Sequence, residues 1–202
     1  MKSFISYLGE SEIHYFDVDK TLMHTDATKV HVKDSEGKHV ESLDPQEFNH
    51  HKLKAGHSYD FSEFKSADKF KKAKPIRSMM KKMRTLHKSG KNVEILTARS
   101  DFDDQKKFAQ KWQKHGVDIS KGKVHVRRAG NLEGMATHEA KAKIISDAIK
   151  KHGHKEVHLY DDHKANIDSM LALKKEHPDV EFHGHHVQHG SDGKITVTHY
   201  KA

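Results

Sequence analysis

Two aspartates one residue apart stand where an apolar run stops, in His14-Tyr15-Phe16-Asp17-Val18-Asp19-Lys20-Thr21-Leu22. If the run is a strand, alternate side chains face the same way. Asp17 and Asp19 then leave the strand end side by side, and Thr21 lies in the turn that follows. Neighbouring carboxylates repel each other unless a cation or a shared proton offsets the charge. A hard divalent ion does this, and Mg2+ commonly takes one or two carboxylates together with substrate phosphate. The plainer reading is a strand followed by an Asx turn, with no chemistry attached. Two other apolar runs also end in polar groups: Val93–Leu96 meets Thr97 and Arg99, and Val157–Tyr160 meets Asp161 and Asp162.

The elements that must position these groups alternate along the chain. Residues 24–43 alternate around Asp34-Ser35-Glu36-Gly37 and read as a β-hairpin. Residues 44–74 are polar with interspersed aromatics (Phe48, Tyr59, Phe61, Phe64, Phe70), read as an irregular segment with short helices whose rings pack locally. Pro75 can open a helix, in which Ile76, Met79, Met80, Met83 and Leu86 form the inner face until Gly90. A strand over 92–99 follows, then a helix from Asp101 to His115, a short strand over Val124–Val126 and a helix starting at Thr137-His138-Glu139-Ala140. The chain closes with a strand over Glu156–Asp161, a helix over Asn166–His177, a strand over Val180–Val187 and a hairpin or strand pair over Gly190–Tyr200. Strands alternating with helices predict a mostly parallel sheet covered on both faces, with ligands at the carboxyl ends of the strands. Asp17/Asp19, Thr97 and Asp161/Asp162 all fall there.

Composition narrows the setting. Only 34% of the 202 residues are hydrophobic, but they cluster in the strand-like runs, which suffices for a core. The absence of cysteine excludes a disulfide framework and a thiolate metal site. The N-terminal MKSFISYLGESE lacks the apolar region of a secretory signal, and no run approaches a membrane span. A cytoplasmic protein without membrane contact is the expectation; oligomeric state is left open. The net charge of +8 with 21 histidines suits nucleic acid, nucleotides or phosphorylated groups as partners, although solvated helix-face lysines are the better account of it. His185, His186 and His189 invite a zinc reading, but histidine is so abundant that adventitious affinity is the better explanation.

Four segments in order resemble the four motifs of the haloacid dehalogenase (HAD) superfamily of phosphohydrolases: Asp17-Val18-Asp19-Lys20-Thr21-Leu22, Ile95-Leu96-Thr97, a lysine early in the third helix (Lys141, with Lys143 as rival), and Leu159-Tyr160-Asp161-Asp162 followed by Asn166. The text around Tyr59-Asp60-Phe61 and Arg128-Ala129-Gly130-Asn131 is similar to phage-encoded HAD-like proteins of unassigned substrate. The resemblance implies a single domain over 1–202, a Rossmann-like three-layer α/β sandwich with a mostly parallel central sheet and a small cap inserted within 24–74. It implies that Asp17 is the nucleophile and Asp19 the general acid and base, that Thr97 and Lys141 hold the phosphoryl group, and that Thr21 and Arg99 contact substrate. Mg2+ is then held by Asp17, by the main-chain carbonyl of Asp19 and by Asp161 or Asp162. Lys20 departs from the Gly or Asp usual in the family. Arg127 and Arg128, at the same sheet edge, are further phosphate candidates. The implied activity is a Mg2+-dependent phosphomonoesterase working through an aspartyl-phosphate, on a phosphorylated small molecule such as a nucleotide or on a polynucleotide 3′-phosphate end, in the host cytoplasm if phage-encoded. The competing expectation is a non-catalytic HAD-fold module that binds phosphorylated partners or nucleic acid.

Overall fold

The computed structural model describes residues 11–120 and 122–202; the signal-peptide reading of the N-terminus falls mostly outside them. In chain order the described elements are β1 (Glu12–Phe16), β2 (Met23–His24), β3 (Val30–Lys33), β4 (His39–Leu43), α1 (Pro45–His50), β5 (Ser58–Asp60), α2 (Ser62–Lys65), α3 (Ala67–Lys71), β6 (Lys74–Pro75), α4 (Arg77–Lys88), β7 (Asn92–Thr97), α5 (Gln105–Gln113), β8 (His125–Arg128), α6 (Thr137–His152), β9 (Glu156–Asp161), α7 (Lys164–Ala172), β10 (Glu181–His189) and β11 (Ile195–Lys201).

Six strands form the main sheet in the order β11-β10-β9-β1-β7-β8. All neighbours pair in parallel except β10 and β11. β1 lies between β7 and β9, covered on both faces, which is why all its residues after Glu12 are buried. Strand alternation sends Ile13, Tyr15, Val157, Leu159 and Phe182 to one face, where they pack on Ile145 and Ile149 of α6 and Ile167 and Met170 of α7. Phe16, Val93, Ile95 and Tyr160 go to the other face, against Met79, Met80 and Met83 of α4 and Phe108 and Trp112 of α5. The chain is thus a mixed α/β protein with a mostly parallel central sheet between helical layers. Among the described residues no helix is long and apolar enough to cross a membrane.

Several boundaries differ from the sequence reading for local reasons. Pro75 does not open α4; it pairs with Met23 in the short β2–β6 ribbon, and the helix starts at Arg77. α5 begins at Gln105 rather than Asp101, because Asp104 supplies the cap, its carboxylate accepting from the Lys107 N–H at 2.9 Å. The residues before it are tied elsewhere, with Asp103 accepting from the Ala67 N–H at 2.8 Å. α7 ends at Ala172 and tightens into a 3-10 turn over Leu173–Lys175. The terminal segment is one strand, β11, returning along β10.

The expected hairpin forms between β3 and β4, and Asp34 closes its turn by accepting from the N–H groups of Glu36 and Lys38 at 3.0 and 2.9 Å. β5 joins on the other side of β3, giving a three-stranded sheet. This sheet has its own small core of Val30, Val32 and Leu43, flanked by Phe48, Tyr59 and Phe64.

Candidate functional site

Asp17 directly follows β1, and its N–H continues the ladder by donating to the Tyr160 carbonyl at 2.9 Å. Asp161 ends the adjacent β9 on the same face. Lys141, in the second turn of α6, lies between them: its Nζ is 2.7 Å from Asp17 and 2.6 Å from Asp161, and its side chain is 1% exposed. Lys143 is two residues on, about 200° around the helix, and pairs with Asp147 at 2.8 Å on the exposed side. The second oxygen of Asp161 accepts from Asn166 Nδ2 at 2.8 Å and from the His163 N–H at 3.0 Å. Asp162 is half-buried, and its carboxylate has no hydrogen-bond or ion-pair partner among the described residues. One carboxylate oxygen from each of Asp17, Asp161 and Asp162 lies within 4.8 Å of the others.

Three acids therefore converge where one ammonium pairs with two of them. Burial pushes the Asp17 carboxyl up to about 7, against the pull of Lys141 and with added repulsion from Asp161 and Asp19. Burial likewise raises Asp162 well above the ordinary carboxylate value, reinforced by Asp161 and Asp17. Lys141 is opposed by burial, yet Asp161 and Asp17 raise it above an ordinary lysine. An all-oxygen cluster short of positive charge suits a hard cation.

Asp19 is neutralised differently. Arg99 grips it in a bidentate pair, Nε to Oδ2 at 2.9 Å and Nη2 to Oδ1 at 2.7 Å, and its third donor reaches the Phe64 carbonyl at 2.9 Å. Burial alone would raise the Asp19 carboxyl, but Arg99 outweighs it and holds the group below its ordinary value. The sequence offered Arg99 either to substrate or to solvent; at 2% exposed it is not solvent-facing, and its guanidinium is committed to Asp19 and Phe64. Arg127 is paired with Glu94 at 2.8 Å and Arg128 with Asp101 at 2.9 Å, so neither turns to the acids. Thr97 and Thr21 are wholly buried; Thr97 Oγ1 accepts from the Arg99 N–H at 3.1 Å, and Thr21 Oγ1 has no partner among the described residues. Lys20 takes a left-handed conformation (φ 58°), pairs with Asp26, and accepts at its carbonyl from His189 Nε2 at 2.5 Å. Its charge is thereby directed away from the acids.

Asp17, Asp19, Asp161 and Asp162 open into a cleft of about 1310 Å³. One wall is the aromatic group of the small sheet, Phe48, Tyr59, Phe61 and Phe64, whose rings meet largely edge to face. Another is the start of α6, where Ala136, Thr137 and His138 precede Lys141. A helix N-terminus favours anions. The loop after β7 is braced by Gly130, where an added Cβ would sit 2.2 Å from the Ala98 carbonyl. Beside it Asn131 exchanges hydrogen bonds with Asp101 at 3.2 and 3.1 Å. The Ala-Gly-Asn text was visible in the sequence, but its partner, 30 residues earlier, was not.

His185, His186 and His189 do not converge. His186 Nε2 meets the Asp162 carbonyl at 3.0 Å, His189 meets Lys20, and His185 stacks on Tyr160 at 4.1 Å. No protein-family model and no curated protein matches the chain.

Proposed function

We propose that the chain is a phosphomonoester hydrolase of the HAD type, dependent on Mg2+ and working through an aspartyl-phosphate on Asp17. The observation that carries this reading is the trio of Asp17, Asp161 and Asp162, whose oxygens converge within 4.8 Å at the carboxyl edge of a mostly parallel sheet, with Lys141 the one cation paired to them among the described residues. The oxygen donor set fits Mg2+, which Asp17 and Asp161 or Asp162 would hold and which would supply positive charge to the phosphoryl oxygens.

In this reading Asp17 attacks phosphorus and releases the alcohol, splitting the transfer into two steps. Lys141 and the N–H groups at the start of α6 offset charge on the phosphoryl oxygens. Asp19 returns as the base that takes a proton from the hydrolytic water. Its pair with Arg99 favours the ionised form that a base requires. Acting as an acid toward the leaving group requires that pair to loosen, and an arriving phosphate is an anion able to compete for Arg99. The volume of the cleft and its aromatic wall favour a substrate with a planar ring, such as a nucleotide, or a polynucleotide 3′-phosphate end. Release of phosphate from an aryl phosphate with Mg2+, measured on the native chain and on Asp17→Asn, tests the reaction. Activity should be present in the first and lost in the second. Equal rates would remove the hydrolase reading and leave the binding module.

A further inference from the structure

β9 and β10 carry a second cluster on the opposite sheet face, nearer the start of the strands. Glu156 pairs in register with Glu181, and His158 with His183. The two rings stack with centroids 4.5 Å apart and planes 13° apart. Both Nε2 atoms lie near one Glu156 oxygen, His158 at 3.0 Å and His183 at 3.5 Å; His183 Nε2 is also 3.5 Å from Glu181, whose carboxylate is paired with Lys201 at 2.8 Å. His183 is 9% exposed, and among the described residues its Nε2 has no hydrogen-bond partner. Each ring is held from behind by another histidine: His158 Nδ1 meets His185 Nε2 at 3.1 Å, and His183 Nδ1 meets His199 Nε2 at 3.1 Å.

We propose that Glu156, His158 and His183 bind one transition-metal ion of the Zn2+ type. One ligand atom from each lies within 4.8 Å of the others. Zn2+ holds imidazole nitrogen and carboxylate oxygen at about 2.0–2.2 Å, so tetrahedral ligand atoms lie about 3.4 Å apart. The observed 3.0 and 3.5 Å bracket that spacing. The neighbouring histidines do what outer groups do around metal-bound imidazole: they fix the ring through one nitrogen and leave the other for the ion. Two imidazoles and one carboxylate select borderline first-row metals, whereas the all-oxygen trio selects hard ions. The two clusters are physically separate. Glu156 lies five residues before Asp161, roughly 16 Å along the strand at about 3.3 Å per residue. Glu12 and His14 border the cluster and form a second triple with His158. They are already engaged, however, Glu12 with Lys91 and His14 with Glu12 at 2.6 Å.

The test is Zn2+ titration of the tag-free full chain against a chromophoric chelator, in saturating Mg2+, followed by Co2+ absorption spectroscopy. One equivalent of Zn2+ should bind. Affinity should fall at least about 100-fold in His158→Gln/His183→Gln, beyond the 10–100-fold typical of outer-shell changes. It should fall clearly in Glu156→Gln, a partly exposed position that should leave the fold intact. Asp17→Asn and exposed His152→Gln should bind Zn2+ like the native chain. Bound Co2+ should show the intense visible bands of a tetrahedral site, a readout on the native chain that needs no variant to fold. Equal affinity in the native and double-variant chains, losses as large in His152→Gln, or only weak octahedral Co2+ bands would each overturn the proposal.

Discussion

Replacing Lys141 with methionine keeps a long unbranched side chain and removes the single charge shared by Asp17 and Asp161. Both contacts are short, 2.7 and 2.6 Å, and all three side chains are nearly sealed from water. Removing one partner from a buried ion pair leaves an uncompensated charge and costs about 3–5 kcal/mol. For a chain of this size each kcal/mol moves Tm by about 2–4 °C, so the melting point should drop by roughly 6–20 °C in EDTA. Adding Mg2+ should recover much of the loss, because a cation among the carboxylates replaces the missing charge. A ligand at 100 times its Kd contributes about 2.7 kcal/mol. Lys143→Met, on the exposed face with Asp147, should stay within about 0.5 kcal/mol of the native chain. Urea unfolding of the three proteins, with and without Mg2+, reads every term. A loss below about 1 kcal/mol for Lys141→Met, or no recovery with Mg2+, would refute the electrostatic reasoning behind the site.

Arg99→Met should raise the Asp19 carboxyl, since the guanidinium is what outweighs burial there; removing such a partner shifts a carboxylate by about 1–3 pH units. An NMR titration of the side-chain carboxyls should show Asp19 ionising at higher pH in Arg99→Met than in the native chain, and an unmoved transition would count against Arg99 as the group that holds it down. His14, pushed down by burial from 6.5 to about 4, is a depressed base, so its stabilisation is complete above pH 6.5 and drains away as pH falls toward 4. In EDTA the unfolding free energy should therefore fall with acid by up to about 1.4 kcal/mol per pH unit from this group, and His14→Gln should flatten the slope. Gly130→Ala drives a methyl against the Ala98 carbonyl, which is backbone and cannot swing aside; it should destabilise by about 1–3 kcal/mol in thermal or urea unfolding.

The main sheet was legible because buried parallel strands are short, mainly apolar runs, and β1, β7 and β9 stand out as such despite His14, Glu94 and His158 within them. β2, β5 and β6 were not legible, because strands of two or three residues have no period to read. The choice between Lys141 and Lys143 had a usable signal. Lys141, Ile145 and Ile149 recur every four residues on the buried stripe of α6, while Lys143 falls opposite. The Arg99–Asp19 pair had none, since its members lie 80 residues apart and meet only once β1 and β7 are side by side. Histidine abundance hid the Glu156–His158–His183 cluster in the same way: nothing in the sequence marks His158 and His183 among twenty-one histidines until the parallel register of β9 and β10 sets them side by side.

Strand parity explains how two sets of ligating side chains occupy one sheet without competing. In β9 the odd residues Val157, Leu159 and Asp161 face α6 and α7, and the even residues Glu156, His158 and Tyr160 face away. Asp161 thus leaves one side of these six residues and Glu156 and His158 the other, and Lys141 reaches only the first. A one-residue slip of β9 against β1 would exchange the two faces, placing Tyr160 or Asp162 where Asp161 now meets Lys141 and turning Asp161 to the face packed by α4. Tyr160 opposes such a slip, because it is held against Phe16 at 4.2 Å and His185 at 4.1 Å. The aromatic stack at the end of β9 therefore does more than fill space: it fixes the register on which the Asp17–Asp161 pairing depends.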